Sequence, residues 1–284
     1  MGKQRYKCIR SGRVVSEILY VPAMRMDSDV ARMAKLKYSS LARQQLKNDT
    51  ATHKLELKLA GNFIEDDYWV TLTYDDDHLP IGPEERRIAK GRASRFMDDL
   101  RAARKLEGSV LRYAYCTESV TSGKRRLHHH CVINATGYTR DRDVWRKTWT
   151  HDLEQIKSLW RQGDAHVETF RMAERRNGER STPRESPQTS FDDSHLVFRS
   201  GNIWENIARY VVKERREKEA KPIGEHAWNC SRNLSKPFVT SEWVEGSAEL
   251  VVPADAVELG TRRESNAYGS FQWVKYILPE IHAR

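Results

Sequence analysis

Residues 126–134 read RLHHHCVIN, three histidines running into a short apolar stretch. In a strand, successive side chains point to opposite faces. His128 and His130 therefore share one face, while His129 points with Leu127, Cys131 and Ile133. The apolar set gives the strand a buried side and leaves the His-x-His pair on the other. Read this way, the cluster is two candidate ligands and one inward histidine satisfied by its surroundings. A His-x-His pair also occurs incidentally on strand surfaces, so the neighbouring elements have to be read with it.

Upstream, VLRYAYCTE at 110–118 is a second strand, and the Gly-containing connection SVTSGKRR makes the two an antiparallel hairpin. Glu118 closes the first strand just before the turn, within reach of the face of His128. A further strand, YWVTLTY at 68–74, ends in the acidic turn DDDHLP. Pro83 and Glu84 then start a helix to about Lys105, with Ile88, Phe96, Leu100 and Ala103 approximating one apolar face and Gly108 closing it. Downstream come a helix over 152–161 stopping at Gly163, a strand over 164–170, and a helix over 203–219. This order predicts an α+β domain, a central antiparallel sheet with helices on one face and the other face free for a substrate.

The flanks read differently. Residues 1–60 form a basic N-terminal extension expected to pack on the core, with a β-leaning VVSEILYVP and a helix beginning at Asp27. The main domain spans 61–245, with a polar, proline-containing flexible insertion at about 171–195, and 246–284 is a C-terminal extension.

Lys and Arg outnumber Asp and Glu by 49 to 40, giving a net charge of +9, and basic residues cluster in LARQQLK, SGKRR and VVKERREKEAK. Part of this is solvated helix face, and the remainder favours a polyanionic partner such as nucleic acid. The four cysteines lack metal or disulfide spacing, which suits a reducing cytoplasm. No apolar run is long enough to span a bilayer, so no membrane partner is expected.

Two neutral imidazoles and a carboxylate suit Mn²⁺, Mg²⁺ or Zn²⁺, and an open coordination shell suits polarisation of a phosphate oxygen. His128, His130 and Glu118 are thus the candidate metal ligands. A second constellation, NIARYVVKE at 206–214, places Tyr210 and Lys213 three apart on one helix face. A phenol with a pKa near 10 is a poor nucleophile alone, so Tyr210 needs a polarised phosphate or a nearby cation, which Lys213 supplies.

Together these segments resemble the HUH endonucleases, specifically the rolling-circle replication initiators of small single-stranded DNA phages, microvirus-like and filamentous-phage-like. VTLTYDDDHLP is similar to the family's first motif, RLHHHCVIN to the second, ARYVVKE to the tyrosine and lysine helix, and WNCSRNLSKP to a Ser-Arg segment that often follows. The likeness covers about residues 68–240. His129 stands where a bulky apolar residue is usual, and Asn206 stands where two-tyrosine members carry another tyrosine.

The resemblance implies a ferredoxin- or RRM-like core and Mg²⁺ or Mn²⁺ as cofactor. Tyr210 is then the nucleophile that forms a 5′-phosphotyrosine link, with Lys213 assisting. Arg126, Arg209, Arg232 and Lys236 become candidate DNA contacts. Asp75, Asp76 and Asp77 are expected to shape the turn and the DNA groove. Expected partners are single-stranded DNA at an origin, a host helicase and polymerase, and, with a single tyrosine, a second copy of the chain or water in rejoining. The alternatives left open are a non-catalytic single-stranded nucleic-acid-binding protein, a relaxase or transposase with the same chemistry, and a zinc hydrolase, which gives Tyr210 no role.

Overall fold

The computed structural model describes residues 3–21, 40–64, 66–118, 126–137, 142–172, 190–192, 195–198, 202–217, 228–266 and 269–279. In chain order its elements are β1 (Gln4–Ser11), β2 (Val14–Tyr20), α1 (Ser40–Ala60), β3 (Tyr68–Thr73), α2 (Glu85–Leu106), β4 (Tyr113–Glu118), β5 (His128–Ile133) and α3 (Arg142–Leu159). They continue with β6 (Ala165–Met172), β7 (Ser190–Asp192), β8 (His195–Phe198), α4 (Ile203–Glu217), β9 (Asn229–Cys230), β10 (Phe238–Val244), β11 (Val257–Asn266) and β12 (Gly269–Ile277). The chain divides into two units: Met1–Asn62 with Gly201–Ala208 and Ser235–Arg284, and Phe63–Ser200 with Arg209–Leu234.

The second unit is the α+β domain expected from the sequence. Its sheet has the order β7-β8-β6-β3-β5-β4-β9, antiparallel throughout except for the β6–β8 pair. Strand alternation sorts its side chains. Tyr68, Val70 and Leu72 of β3 and Cys131 and Ile133 of β5 are buried against α2 and α3. From α2 the buried stripe is Ala89, Ala93, Phe96 and Leu100, at helical spacing. Phe96 and Leu100 lie on the buried stripe as the sequence reading expects, whereas Ile88 stays 37 % exposed and Ala103 is half-buried, their places on the stripe being taken by Ala89, Ala93 and Arg104. The stripe ends on Arg104, which is fully buried and donates through Nη1 to the backbone and side-chain oxygens of Asn134.

The β3 to α2 connection is held by a close backbone approach. Gly163 has φ 152°, and a Cβ there would stand 2.5 Å from both the Asp75 nitrogen and the Thr73 oxygen. Asp75 N–H donates to the Gln162 carbonyl and Thr73 N–H to that of Asp164, so this glycine lets the β6 approach lie against the end of β3.

The first unit holds the principal departure from the sequence reading. Residues 1–60 and 246–284 were expected as separate extensions and 235–245 as part of the main domain. Their strands instead form one antiparallel sheet of order β10-β1-β2-β12-β11. Pairing between segments 242 residues apart, as in the Gln4 side-chain bond to the Gly246 carbonyl, leaves no local periodicity to read. The FQWVKYI segment at 271–277 lies in strand β12. Most of the proposed 171–195 insertion lies outside the described residues, as does the start of the helix expected from Asp27.

Candidate metal centre

The face of the β3–β5–β4 sheet that does not pack on α2 and α3 carries the polar residues. In the antiparallel register Glu118 of β4 lies opposite His128 of β5, and Thr71 of β3 lies opposite His130. Directly opposed residues share a face, so this register brings together side chains that the sequence separates by up to 59 positions.

The distances are those of a shared site. His128 Nε2 and His130 Nε2 are 3.0 Å apart, and Glu118 carboxylate oxygens lie 3.3 Å from the first and 3.8 Å from the second. One ligand atom from each of the three residues falls within 4.8 Å of the others. Among the described residues this is the one His/Cys/Asp/Glu group so arranged.

The hydrogen bonds of the outer ring nitrogens set the chemistry of the inner ones. His128 Nδ1 is 2.7 Å from the Arg126 carbonyl, which can only accept, so Nδ1 carries the proton and Nε2 presents a lone pair. His130 Nδ1 lies 3.1 Å from Thr71 Oγ1, and donation to that hydroxyl turns its Nε2 lone pair inward as well. Two lone pairs at 3.0 Å beside a carboxylate repel one another unless a cation lies between them, and a divalent ion answers that donor set.

His129 is fully buried on the opposite face, as alternation requires. Its Nε2 is 2.8 Å from the Tyr74 hydroxyl and its Nδ1 2.9 Å from Thr117 Oγ1. Burial, which disfavours the charged imidazolium, holds it neutral down to about 3. It supports the strand from within and is not part of the ligand group.

Tyr210 of α4 reaches the same centre from another element. Its hydroxyl is 3.1 Å from His130 Nε2, and its ring stands edge-on to that imidazole with centroids 5.1 Å apart. Lys213 lies on α4 with its side chain outside the described residues. Arg209 and Arg232 are exposed in the same unit, and Lys236 is exposed in the other. Arg126 is exposed and pairs with Asp76.

Two residues that the sequence reading passed over complete the surroundings. Trp69 stacks on the His130 ring, with centroids 4.9 Å apart and planes 19° from parallel, and meets Tyr210 edge-on at 6.0 Å. Thr71 fixes the ring through Nδ1. Both were visible as the polar-face members of YWVTLT, but nothing in that stretch says which strand lies beside it.

The acidic turn is engaged elsewhere. Asp75 Oδ1 accepts from the His78 backbone N–H at 2.9 Å and pairs with His78 Nδ1 at 2.7 Å. The His78 hydrogen bond holds the Asp75 carboxyl below its ordinary range. These contacts close the turn, and no aspartate of it joins the ligand group.

Residues 67–176 match the family model of replication-associated protein ORF2/G2P. The ORF2/G2P match runs from the start of β3 past β6 and contains all three candidate ligands together with Trp69 and Thr71. It covers less than half of the chain, and Tyr210 and Lys213 lie beyond it. The match points to a part in replication, in keeping with a rolling-circle initiator. No curated protein and no solved structure matches the chain. Among the described residues, no helix is long and apolar enough to cross a membrane.

Proposed function

We propose that this chain is a metal-dependent endonuclease that nicks and rejoins single-stranded DNA at a replication origin, initiating rolling-circle replication of a phage or plasmid. The observation that carries the proposal is the Tyr210 hydroxyl, 3.1 Å from His130 Nε2 and beside the Glu118, His128 and His130 group. A phenol at a two-histidine, one-carboxylate centre matches nucleophilic attack on a phosphodiester. The ORF2/G2P likeness of the ligand-bearing segment supports the same reading.

His128, His130 and Glu118 would hold the ion, Mg²⁺ or Mn²⁺, which when bound supplies Lewis-acid polarisation of a non-bridging phosphate oxygen. Trp69 and Thr71 keep the His130 ring in place, and the edge contacts of Tyr210 with Trp69 and His130 aim its hydroxyl at the centre. Tyr210 Oη forms a bond to phosphorus as the bond from phosphorus to the 3′ oxygen breaks. The phenol gives up its proton and the departing 3′ oxygen gains one, leaving a 3′-hydroxyl that primes synthesis and a 5′-phosphotyrosine. One phosphodiester replaces another, so the 3′-hydroxyl of an incoming end can reverse the step without ATP. Lys213, one turn along α4, stabilises the phenolate or the phosphate, and Arg126, Arg209, Arg232 and Lys236 contribute phosphate contacts.

The test uses 3′-labelled single-stranded DNA carrying the origin, Mn²⁺ and a denaturing gel. A covalent protein–DNA adduct is expected with the native chain and none with Tyr210→Phe. An adduct of undiminished yield in that variant would refute the assignment.

A further inference from the structure

The five-stranded sheet of the first unit has two faces of opposite character. On one, Val15, Leu19, Val274 and Tyr276 form a core closed by Leu250. On the other, one end is buried where Val14 and Ile277 meet Leu57 and Ala60 of α1. In the two rows farthest from that covered end, four of the ten residues are aromatic and three are basic.

The register defines these rows. Trp243, Arg5, Tyr20, Phe271 and Glu264 lie side by side across all five strands. Ser241, Lys7, Ile18, Trp273 and Arg262 form the next row on the same face, two residues along each strand. Trp243 is 54 % exposed and Arg262 is exposed, while Arg5, Lys7, Tyr20, Phe271 and Trp273 are half-buried. The Arg5 guanidinium sits 5.3 Å from the Trp243 ring centroid. Trp273 lies across the sheet surface, donating from Nε1 to Ser16 Oγ at 2.9 Å and packing over Gly260, where a Cβ would stand 3.2 Å from its ring.

We propose that this face is a second binding surface for single-stranded DNA, separate from the metal centre. Four aromatic rings on a solvent-facing sheet offer stacking planes for unpaired bases, and Arg5, Lys7 and Arg262 offer counter-charges for the phosphates between them. Glu264 is the one acid in the two rows, and the Arg262 guanidinium pairs with it at 2.8 Å. An acidic protein partner would be met by the cations but has no use for four stacking rings, so the charge and the aromatics together select a nucleic acid. Bases paired in a duplex cannot stack on the rings, which selects a single strand.

The inference stands apart from the nicking chemistry and is tested without it. Binding of the full chain to a fluorescein-labelled oligo(dT) of about 15 nucleotides is followed by anisotropy in EDTA, where no metal-dependent cleavage proceeds. Trp243→Ala and Phe271→Ala are each expected to weaken binding about five- to a hundredfold, with Trp243→Phe keeping most of the affinity. Arg5→Ala is expected to lower the salt slope by about 0.7. Trp243 is an exposed edge-strand residue outside the core, so its replacement leaves the fold in place. Alanine variants that bind as tightly as the native chain, or a blunt duplex that competes as well as the single strand, overturn the proposal. Failure of the adduct assay above leaves this binding unchanged, and loss of the surface leaves adduct formation at saturating DNA intact, so the two ideas fail separately.

Discussion

The three consecutive histidines differ in role, and metal-linked stability separates them. A ligand that binds only the folded chain stabilises it by RT ln(1 + [L]/Kd), about 2.7 kcal/mol at a hundredfold excess over Kd. For domains of this size that raises Tm by about 5 to 10 °C. Native protein melted with and without saturating Mn²⁺ is expected to show this increment. His128→Ala and His130→Ala each remove one of three candidate ligands and should abolish it. His129→Leu leaves the Tyr74 hydroxyl and Thr117 Oγ1 unpaired in the core. At about 1 to 3 kcal/mol per buried unsatisfied group, that variant should melt well below native in the absence of metal. Its Mn²⁺ increment should nevertheless persist, because its side chain lies on the far face of β5 from the ligand atoms. Differential scanning calorimetry reads both quantities in one experiment. An increment that survives both His128→Ala and His130→Ala, or that vanishes in a cooperatively melting His129→Leu, would refute the division of the cluster.

Two further predictions concern the framework that holds β3 and β5. Arg104 and Asp152 are both fully buried with 4.0 Å between Nη2 and Oδ2, so Arg104→Met should cost about 3 to 5 kcal/mol by leaving a buried carboxylate without its cation. Urea denaturation of Arg104→Met/Asp152→Asn should recover much of that loss, and equal stabilities for single and double variants would mean that the charges do not interact. Asp67 accepts from the Ile64 and Ala135 backbone N–H groups, and burial, opposed by those bonds, pushes its carboxyl from 3.8 up to about 7. Its folded pKa is raised, so its contribution is full below about pH 4 and is lost as pH rises through about 7, by up to about 4 kcal/mol. Urea midpoints of the native chain should therefore fall more between pH 5 and pH 8 than those of Asp67→Asn, and parallel pH profiles would refute this.

Much of the centre was legible in the sequence because its grammar is local. The period of two in RLHHHCVIN separates His129 from its neighbours before any partner strand is known, and the short connection to VLRYAYCTE brings Glu118 to His128. The helical spacing of NIARYVVKE picks out Tyr210. Trp69 and Thr71 were missed for the complementary reason. They lie more than 50 residues before the histidines, and only the pairing of β3 with β5 sets them against His130.

The ends of the chain show the same limit more strongly. VVSEILY and FQWVKYI each carry strand character, yet neither says that they pair with each other, or that Arg5, Tyr20, Phe271 and Trp243 form one row. By itself the sequence determined which way side chains point along each strand and helix, because that follows from the backbone geometry of a few neighbouring residues. The tertiary structure alone decided which strands are neighbours and in what register. That choice is made by burying apolar faces contributed from distant parts of the chain, and it is what joins Tyr210 to the histidines and the two termini into one sheet.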